Sequence, residues 1–330
     1  MLAYYIFFLI INFLIFKNLN LITNYLNFYD LPDKRKIHKK KISKIGGIVL
    51  YINILLYYLI NLFFQFSEFN FYLLIFLSLI FFINLVNDKK DISPSLRLIT
   101  CYLIFLVWCF IDKSLVIKNL YFEFIDLNIN LGQYGYLITP LFFVIFLNAL
   151  NLFDGVNLQS ISYIFLFFIF FLLNEIDLSN HLYLFIFFIF FSIYNLKNKI
   201  FLGDSGISIF ATLITYIIIT NYNFEQNLLN CEEILAMMFL PGIDMLRLFL
   251  YRISKKKNPF NPDKNHLHHH ILRFVLPKFV FLYQFFFYII LLFLMYFLYL
   301  SYYLIFIILI IMYVLALAAF YDKKYLSKNI

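Results

Sequence analysis

Charge is scarce in this chain of 330 residues: Asp, Glu, Lys and Arg together make up 13%, against 64% hydrophobic residues. Soluble domains are roughly a quarter charged and about half apolar, so these few ionisable side chains cannot solvate the rest and a water-exposed globule is excluded. Cysteine is limited to Cys101, Cys109 and Cys231 with no paired spacing, which excludes a disulfide framework and a zinc knuckle. Neither a Pro-rich linker nor a low-complexity tail is present. No basic residue precedes Lys17 and no small-residue cleavage site stands out, so the first apolar run is expected to be a retained spanning helix with its amino terminus outside, rather than a signal peptide.

What the chain has is apolar length. Runs lie at 2–22, 47–66, 70–87, 95–112, 134–152, 160–174, 181–195, 205–221, 232–251, 277–298 and 302–320. At about 20 residues per span they predict about 11 transmembrane helices, an all-α polytopic membrane protein forming a single integral-membrane domain over 1–330. Residues 113–133 have alternating character and are expected to make a small external hairpin with no catalytic role.

Charge placement sets the sidedness. Segments 23–46, 87–97, 195–204, 252–278 and 321–330 hold 22 of the 26 lysines and arginines, so these loops and the carboxyl terminus are expected in the cytoplasm. The net charge of +8 then reflects topology and attraction to the lipid bilayer, and nucleic acid is set aside as a partner. Asp30, Asp33, Asp88, Asp91, Asp154, Asp204, Asp244 and Asp263 share that side with five of the six histidines. Candidate chemistry therefore falls in the loops near 23–46, 87–97, 151–159, 195–205 and 252–275.

Five clusters stand out there. The first loop runs from Asp30 through Lys34, Arg35, Lys36 and His38 to Lys44, Gly46 and Gly47; it reads as a topogenic basic run, or as a helix mouth whose open amides and Lys44 favour a phosphate. Asp88 and Asp91, three apart, share a helix face suited to one hard cation, or sit in a solvated turn before a Ser93-Pro94 helix start. Asn148, Asn151 and Asp154 recur every three residues before Gly155 and Asn157, too polar a stripe for lipid, so they face either a cavity or a neighbouring helix. Phe201, Gly203, Asp204, Ser205 and Gly206 place a carboxylate between glycines at a helix mouth, as a metal ligand, a helix cap, or both. His266, His268, His269 and His270 lie beside lysines without a nearby cysteine, a composition suited to a diphosphate as well as to a metal.

Taken together and in order, these pieces resemble the polyprenyl-phosphate N-acetylhexosamine-1-phosphate transferase family. The matching motifs are Asp-x-Pro-x-x-Arg-Lys-x-His at 30–38 with Gly46-Gly47, Asp-x-x-Asp-Ile-Ser at 88–93, Asn-x-x-Asn-x-x-Asp-Gly at 148–155, Leu-Gly-Asp-Ser-Gly at 202–206 and His-Leu-His-His at 266–269. Each is weak alone; the ordered set, spanning roughly 30–270, is specific. The resemblance implies transfer of a sugar 1-phosphate from a UDP-sugar to undecaprenyl or another polyprenyl phosphate, with release of UMP and a need for Mg²⁺, Mn²⁺ being the alternative ion. It implies a bacterial inner-membrane enzyme with its site facing the cytoplasm, starting a lipid-linked surface glycan, and admits a homodimer. Carried over by motif, Asp204, Asn151 and Asp154 become metal ligands, and Asp88 with Asp91 would attend the lipid phosphate, Asp88 as base or polariser. Asp204, His266, His268 and His269 complete the expected catalytic set, with Lys44, Asn148, Asn151, Asn157 and Phe201 binding substrate and Phe201 stacking on uracil.

The chain departs from the family where relatives carry paired aspartates and it has Asn87-Asp88, and where Asn157 replaces a second aspartate. The peptidoglycan enzyme that acts on a muramoyl-pentapeptide donor is the alternative within the family. A proton- or metal-coupled transporter is the alternative class, and it predicts acids near mid-helix rather than at helix ends.

Overall fold

The computed structural model describes residues 2–32, 38–64, 70–90, 92–223, 228–258 and 264–320. Its helices are α1 (Leu2–Lys17), α2 (Leu19–Leu26), α3 (Gly46–Phe64), α4 (Phe71–Lys89), α5 (Pro94–Ile111), α6 (Gly135–Phe153), α7 (Gln159–Leu173), α8 (Tyr183–Leu196), α9 (Gly203–Tyr222), α10 (Cys231–Ser254), α11 (Leu267–Ile271), α12 (Val280–Tyr296) and α13 (Tyr302–Ala319). Among the described residues, each apolar run expected to be helical is helical over most of its length. Among the described residues, nine helices are long and apolar enough to cross a membrane, or ten if the bent pair α1 and α2 is one span, and α7 is a shorter apolar helix.

The first run is not straight. It bends by 67° between α1 and α2. Past the bend the sequence becomes amphipathic: Leu19 and Thr23 are buried while Leu21 and Tyr25 are exposed, and Thr23 Oγ1 meets Ser43 Oγ at 2.8 Å. The helix thereby lies against a short antiparallel pair, β1 (Tyr29–Asp30) with β2 (Ile42–Ser43), inside a loop that the sequence did not mark as paired. The hairpin expected within 113–133 is present as β3 (Asn119–Phe122) and β4 (Leu127–Asn130), with Asn119 opposite Asn130. Its turn is tied to α10 by the Phe124 amide, which donates to Glu232 Oε1 at 3.1 Å.

The core is organised around α9, which packs against α3, α4 and α6 and is buried along most of its length. Its face is unusually small for this Phe-rich chain: Gly203, Ser205, Gly206, Ser208, Ala211 and Thr212 let neighbouring backbones approach closely, the device helices use where lipid offers no hydrophobic drive to associate. Helix α10 contains Pro241, whose missing N–H leaves the Met237 carbonyl without its intrahelical donor; the Tyr163 hydroxyl of α7 supplies one at 2.9 Å.

A close approach joins the amino-terminal ends of α3 and α9. Gly46 N donates to the Phe201 carbonyl at 3.1 Å and Gly47 N to the Leu202 carbonyl at 2.8 Å. The amides of this glycine pair were candidates for a phosphate; they are instead spent inside the fold, and glycine is required there because a side chain would collide. A Cβ on Gly47 would lie 2.5 Å from the Gly206 nitrogen and 2.9 Å from its Cα, backbone atoms that cannot swing aside. Gly47→Ala is therefore expected to destabilise the protein by about 1–3 kcal/mol, the usual cost of overpacking. Gly242→Ala, with nothing within 4 Å of the added methyl, is expected to leave the melting temperature of the detergent-solubilised protein unchanged or slightly raised.

Candidate active site

The loops that carry the motifs meet at one end of the bundle around a cavity of about 870 Å³. Its wall includes Asp154, Asn157, Phe201, Asp204 and His269, with Lys44 among several surrounding lysines. Segments more than 200 residues apart in the chain thus share one basin.

Asp204 is the most connected of these groups. Its Oδ2 accepts from Asn87 Nδ2 at 2.6 Å and from the guanidinium of Arg97, which is itself nearly buried. The Asn151 side-chain amide lies 3.0 Å from Asp204 Oδ1 and 2.9 Å from Arg97; turned with its nitrogen to the carboxylate and its oxygen to the guanidinium, it makes hydrogen bonds to both. Asn87 and Arg97 were not among the expected site residues. Arg97 had been counted only as a topogenic charge, and its signal was its place one turn inside α5, facing the carboxylates rather than the loop.

Asp88 does not open on the cavity. Its side chain is fully buried against the start of α9, where Oδ1 accepts from Asp204 N and Oδ2 from Ser205 N, each at 2.9 Å. It therefore supplies the helix cap that was one reading of Asp204. Lys44 Nζ sits 2.8 Å from Asp88 Oδ1. Burial disfavours the Lys44 charge, but the carboxylates of Asp88 and Asp204 outweigh it and hold the ammonium above its ordinary pKa. Gly203 adopts φ +76°, a left-handed conformation suited to glycine, and a Cβ there would lie 2.8 Å from Asp88 Oδ2. In this arrangement Asp88 positions Lys44 and α9. Asp91 lies outside the described residues.

The histidines divide as well. His269 lines the cavity, while His266 pairs with Asp244 at 2.9 Å and His268 is packed under Gly155, where a Cβ would meet its Nε2 at 2.1 Å. Burial, reinforced by the neighbouring imidazoles His269 and His266, pushes His268 well below the usual histidine pKa and keeps it neutral. Of the three histidines expected in the catalytic set only His269 lines the cavity, because neighbouring residues of a short helix point to different sides. Asn148 is likewise not on the cavity; its Nδ2 points to Met245 Sδ at 3.3 Å, the packing alternative for that stripe.

Asn157 reaches the cavity wall and donates to Asn198 Oδ1 at 2.7 Å, while Asn195 Oδ1 accepts from Leu158 N at 2.7 Å. Phe201 lies beside His38, ring centres 5.4 Å apart, and His38 Nε2 is 2.8 Å from Asp30 Oδ2. Asp154 accepts from Ser160 Oγ at 2.7 Å.

A helical membrane protein that gathers carboxylates, a lysine, an arginine and a histidine at one rim of its bundle belongs to the class that handles anionic substrates where lipid meets water. Residues 70–222 match the model of glycosyl transferase family 4. The chain is 26% identical over 269 residues to the undecaprenyl-phosphate alpha-N-acetylglucosaminyl 1-phosphate transferase of Thermotoga maritima, covering 79% of this chain and 78% of that one. The proteins of the same name from Salmonella typhi and Escherichia coli K12 are 24% and 25% identical over 261 residues, 74% of this chain and 69% of theirs. The family resemblance carried by the ordered motifs is borne out.

One electrostatic consequence concerns Asp154. Its residue is exposed at the cavity wall, and crowding by the surrounding protein raises its carboxyl above the ordinary 3.8, with the Ser160 hydrogen bond opposing. Because the folded pKa is the higher one, the stability Asp154 contributes is present below about pH 4 and falls as pH rises, and solvent in the cavity screens it to a small amount. In EDTA, Asp154→Asn is expected to melt like the parent at pH 4 and at most slightly above it at pH 7.5, measured by thermal unfolding in detergent.

Proposed function

We propose that this protein transfers a sugar 1-phosphate of the N-acetylhexosamine type from a UDP-sugar to undecaprenyl or a related polyprenyl phosphate. The observation that carries this reading is the convergence of Asp204, Asn151, Asp154, Lys44 and His269 on one end of a many-helix bundle. A lipid phosphate and a soluble nucleotide can meet only at such a membrane face. The relatives' shared name, which specifies undecaprenyl phosphate and N-acetylglucosaminyl 1-phosphate, supports the same substrates. The basic loops at that end support an inner-membrane location with the cavity facing the cytoplasm. Asp88, Asp154 and Asp204 lie at helix ends, the distribution expected for this site, whereas the one acid well inside a helix among these candidates, Asp244 of α10, is bound to Arg247, His266 and Tyr313.

In the reaction, an oxygen of the lipid phosphate forms a bond to the sugar-bearing phosphorus of the UDP-sugar. The bond from that phosphorus to the bridging oxygen breaks, and UMP leaves with the electron pair. The nucleophile is already an anion, so little proton removal is needed. The chain's task is chiefly to neutralise and orient. Lys44, held charged by Asp88, and His269 attend phosphate oxygens; Phe201 offers its ring to the uracil; Asn157 and Asn198 edge the same wall.

The residues present fit Mg²⁺. They offer carboxylate and amide oxygens without sulfur, as a hard cation requires. The Asn151 side-chain amide lies 3.0 Å from Asp204 Oδ1, so the two side chains sit side by side. Substrate phosphates and water would complete the ion's shell. Asp204, Asn151 and Asp154 would hold the ion, which would supply charge neutralisation for the diphosphate.

Membranes containing the protein are expected to release UMP from UDP-N-acetylglucosamine when given undecaprenyl phosphate and Mg²⁺. Asp204→Ala is expected to abolish release with expression intact. Full turnover in that variant would sink the metal assignment, and a panel of UDP-sugars in the same assay identifies the donor.

A further inference from the structure

Asp244 lies well inside α10 and is buried, a costly place for a carboxylate in a membrane protein. Donors from three elements converge on it. Arg247 NH2, on the same helix, reaches Oδ1 at 2.8 Å, and the Tyr313 hydroxyl of α13 reaches the same oxygen at 2.9 Å. From the histidine turn, His266 Nδ1 lies 2.9 Å from Oδ2 and Leu267 N lies 3.3 Å from both oxygens. Arg247 closes the network, giving Nε to the Tyr313 oxygen at 2.7 Å and NH2 to the Asn265 carbonyl at 2.6 Å.

This is more than an anchor for a loop, because the contact is made to one particular ring nitrogen. A carboxylate facing Nδ1 keeps the proton on that nitrogen and fixes the ring plane. The His266 ring is parallel to that of His268, centres 5.6 Å apart, and His268 in turn lies 4.2 Å from His269, the imidazole on the cavity wall. The orientation of His266 therefore sets the stack that ends at the cavity.

We propose that Asp244 is a positioning residue for the transfer, acting through His266, and that Tyr313 makes the last helix part of the same device by fixing Asp244. The proposal rests on the function argued above, and its test separates the two. With purified full-length protein, UDP-N-acetylglucosamine and undecaprenyl phosphate, Asp244→Asn is expected to lower kcat about 10²-fold with either KM changed less than about threefold. Tyr313→Phe is expected to lower kcat about fivefold in the same way. Adding Asp244→Asn to His266→Gln is expected to slow that variant by no more than about twofold, since a residue acting only through His266 has nothing left to position. Multiplying losses would overturn the proposal. Independently of turnover, ¹⁵N NMR of histidine-labelled protein, with His266 assigned from His266→Gln, is expected to show Nδ1 protonated in the parent and a changed tautomer balance in Asp244→Asn. An unchanged His266 spectrum would overturn the proposal even if the parent releases UMP. Absence of release, with the NMR change present, would instead overturn the function and keep the positioning role. Should Asp244→Asn fail to fold, Tyr313→Phe, which removes a single hydroxyl, serves in the double variant and the NMR comparison.

Discussion

The cap that α4 provides for α9 is the interaction on which the site depends. A helix that begins at a crowded membrane rim has amide donors without intrahelical partners, and leaving them buried and unpaired costs about 1–3 kcal/mol each. Asp88 satisfies two of them from a different helix. Its negative charge also faces the positive end of the α9 dipole and balances Lys44, so one carboxylate answers three electrostatic demands at once. The glycines at 47, 203 and 206 exist in this setting to let the partners come close enough for it to do so.

With the cap supplied from elsewhere, the Asp204 side chain is released from local duty. It is aimed instead at Asn87, Arg97 and Asn151, a ring of polar groups contributed by three other helices. Asn87 shows what its departure from the usual aspartate does: its amide donates to Asp204, where a second carboxylate would have repelled it. The rim is thus built from a buried layer, Asp88 and Arg97, that holds Lys44 and Asp204 at the cavity, where they join His269, Phe201, Asn157 and Asp154 on its wall. Positions adjacent in sequence are sorted between these layers by helix geometry.

Much of the fold was legible because lipid imposes a simple rule on sequence. Long apolar runs became helices, and the alternating stretch at 113–133 became a hairpin. The bend after Lys17 was not legible, since α1 and α2 form one continuous apolar run and only the change to a two-faced pattern hints at the break. At the site, motifs located the right loops but not the right faces. Gly46 and Gly47 read as open amides and proved to be contacts, because spacing cannot say which backbone lies opposite. The His266–His270 run read as a single cluster, yet its members separate into a carboxylate partner, a buried spacer and a cavity residue. Arg97 and Asp244 carried no motif of their own; their importance comes from partners 107 and 22 residues away.

An inter-helix cap also bears on assembly. Asp88 and the Asp204 amide are separated by 116 positions along the chain. At about 5–20 residues per second of synthesis, α4 waits on the order of ten seconds for the helix it must cap. During that interval its carboxylate has neither those amides nor a low-dielectric seat, and is best kept near water with Lys44, which is made earlier. The end of the bundle that houses the cavity therefore cannot close until α9 arrives, making α9 the keystone of biogenesis and α4 with α3 its prepared socket.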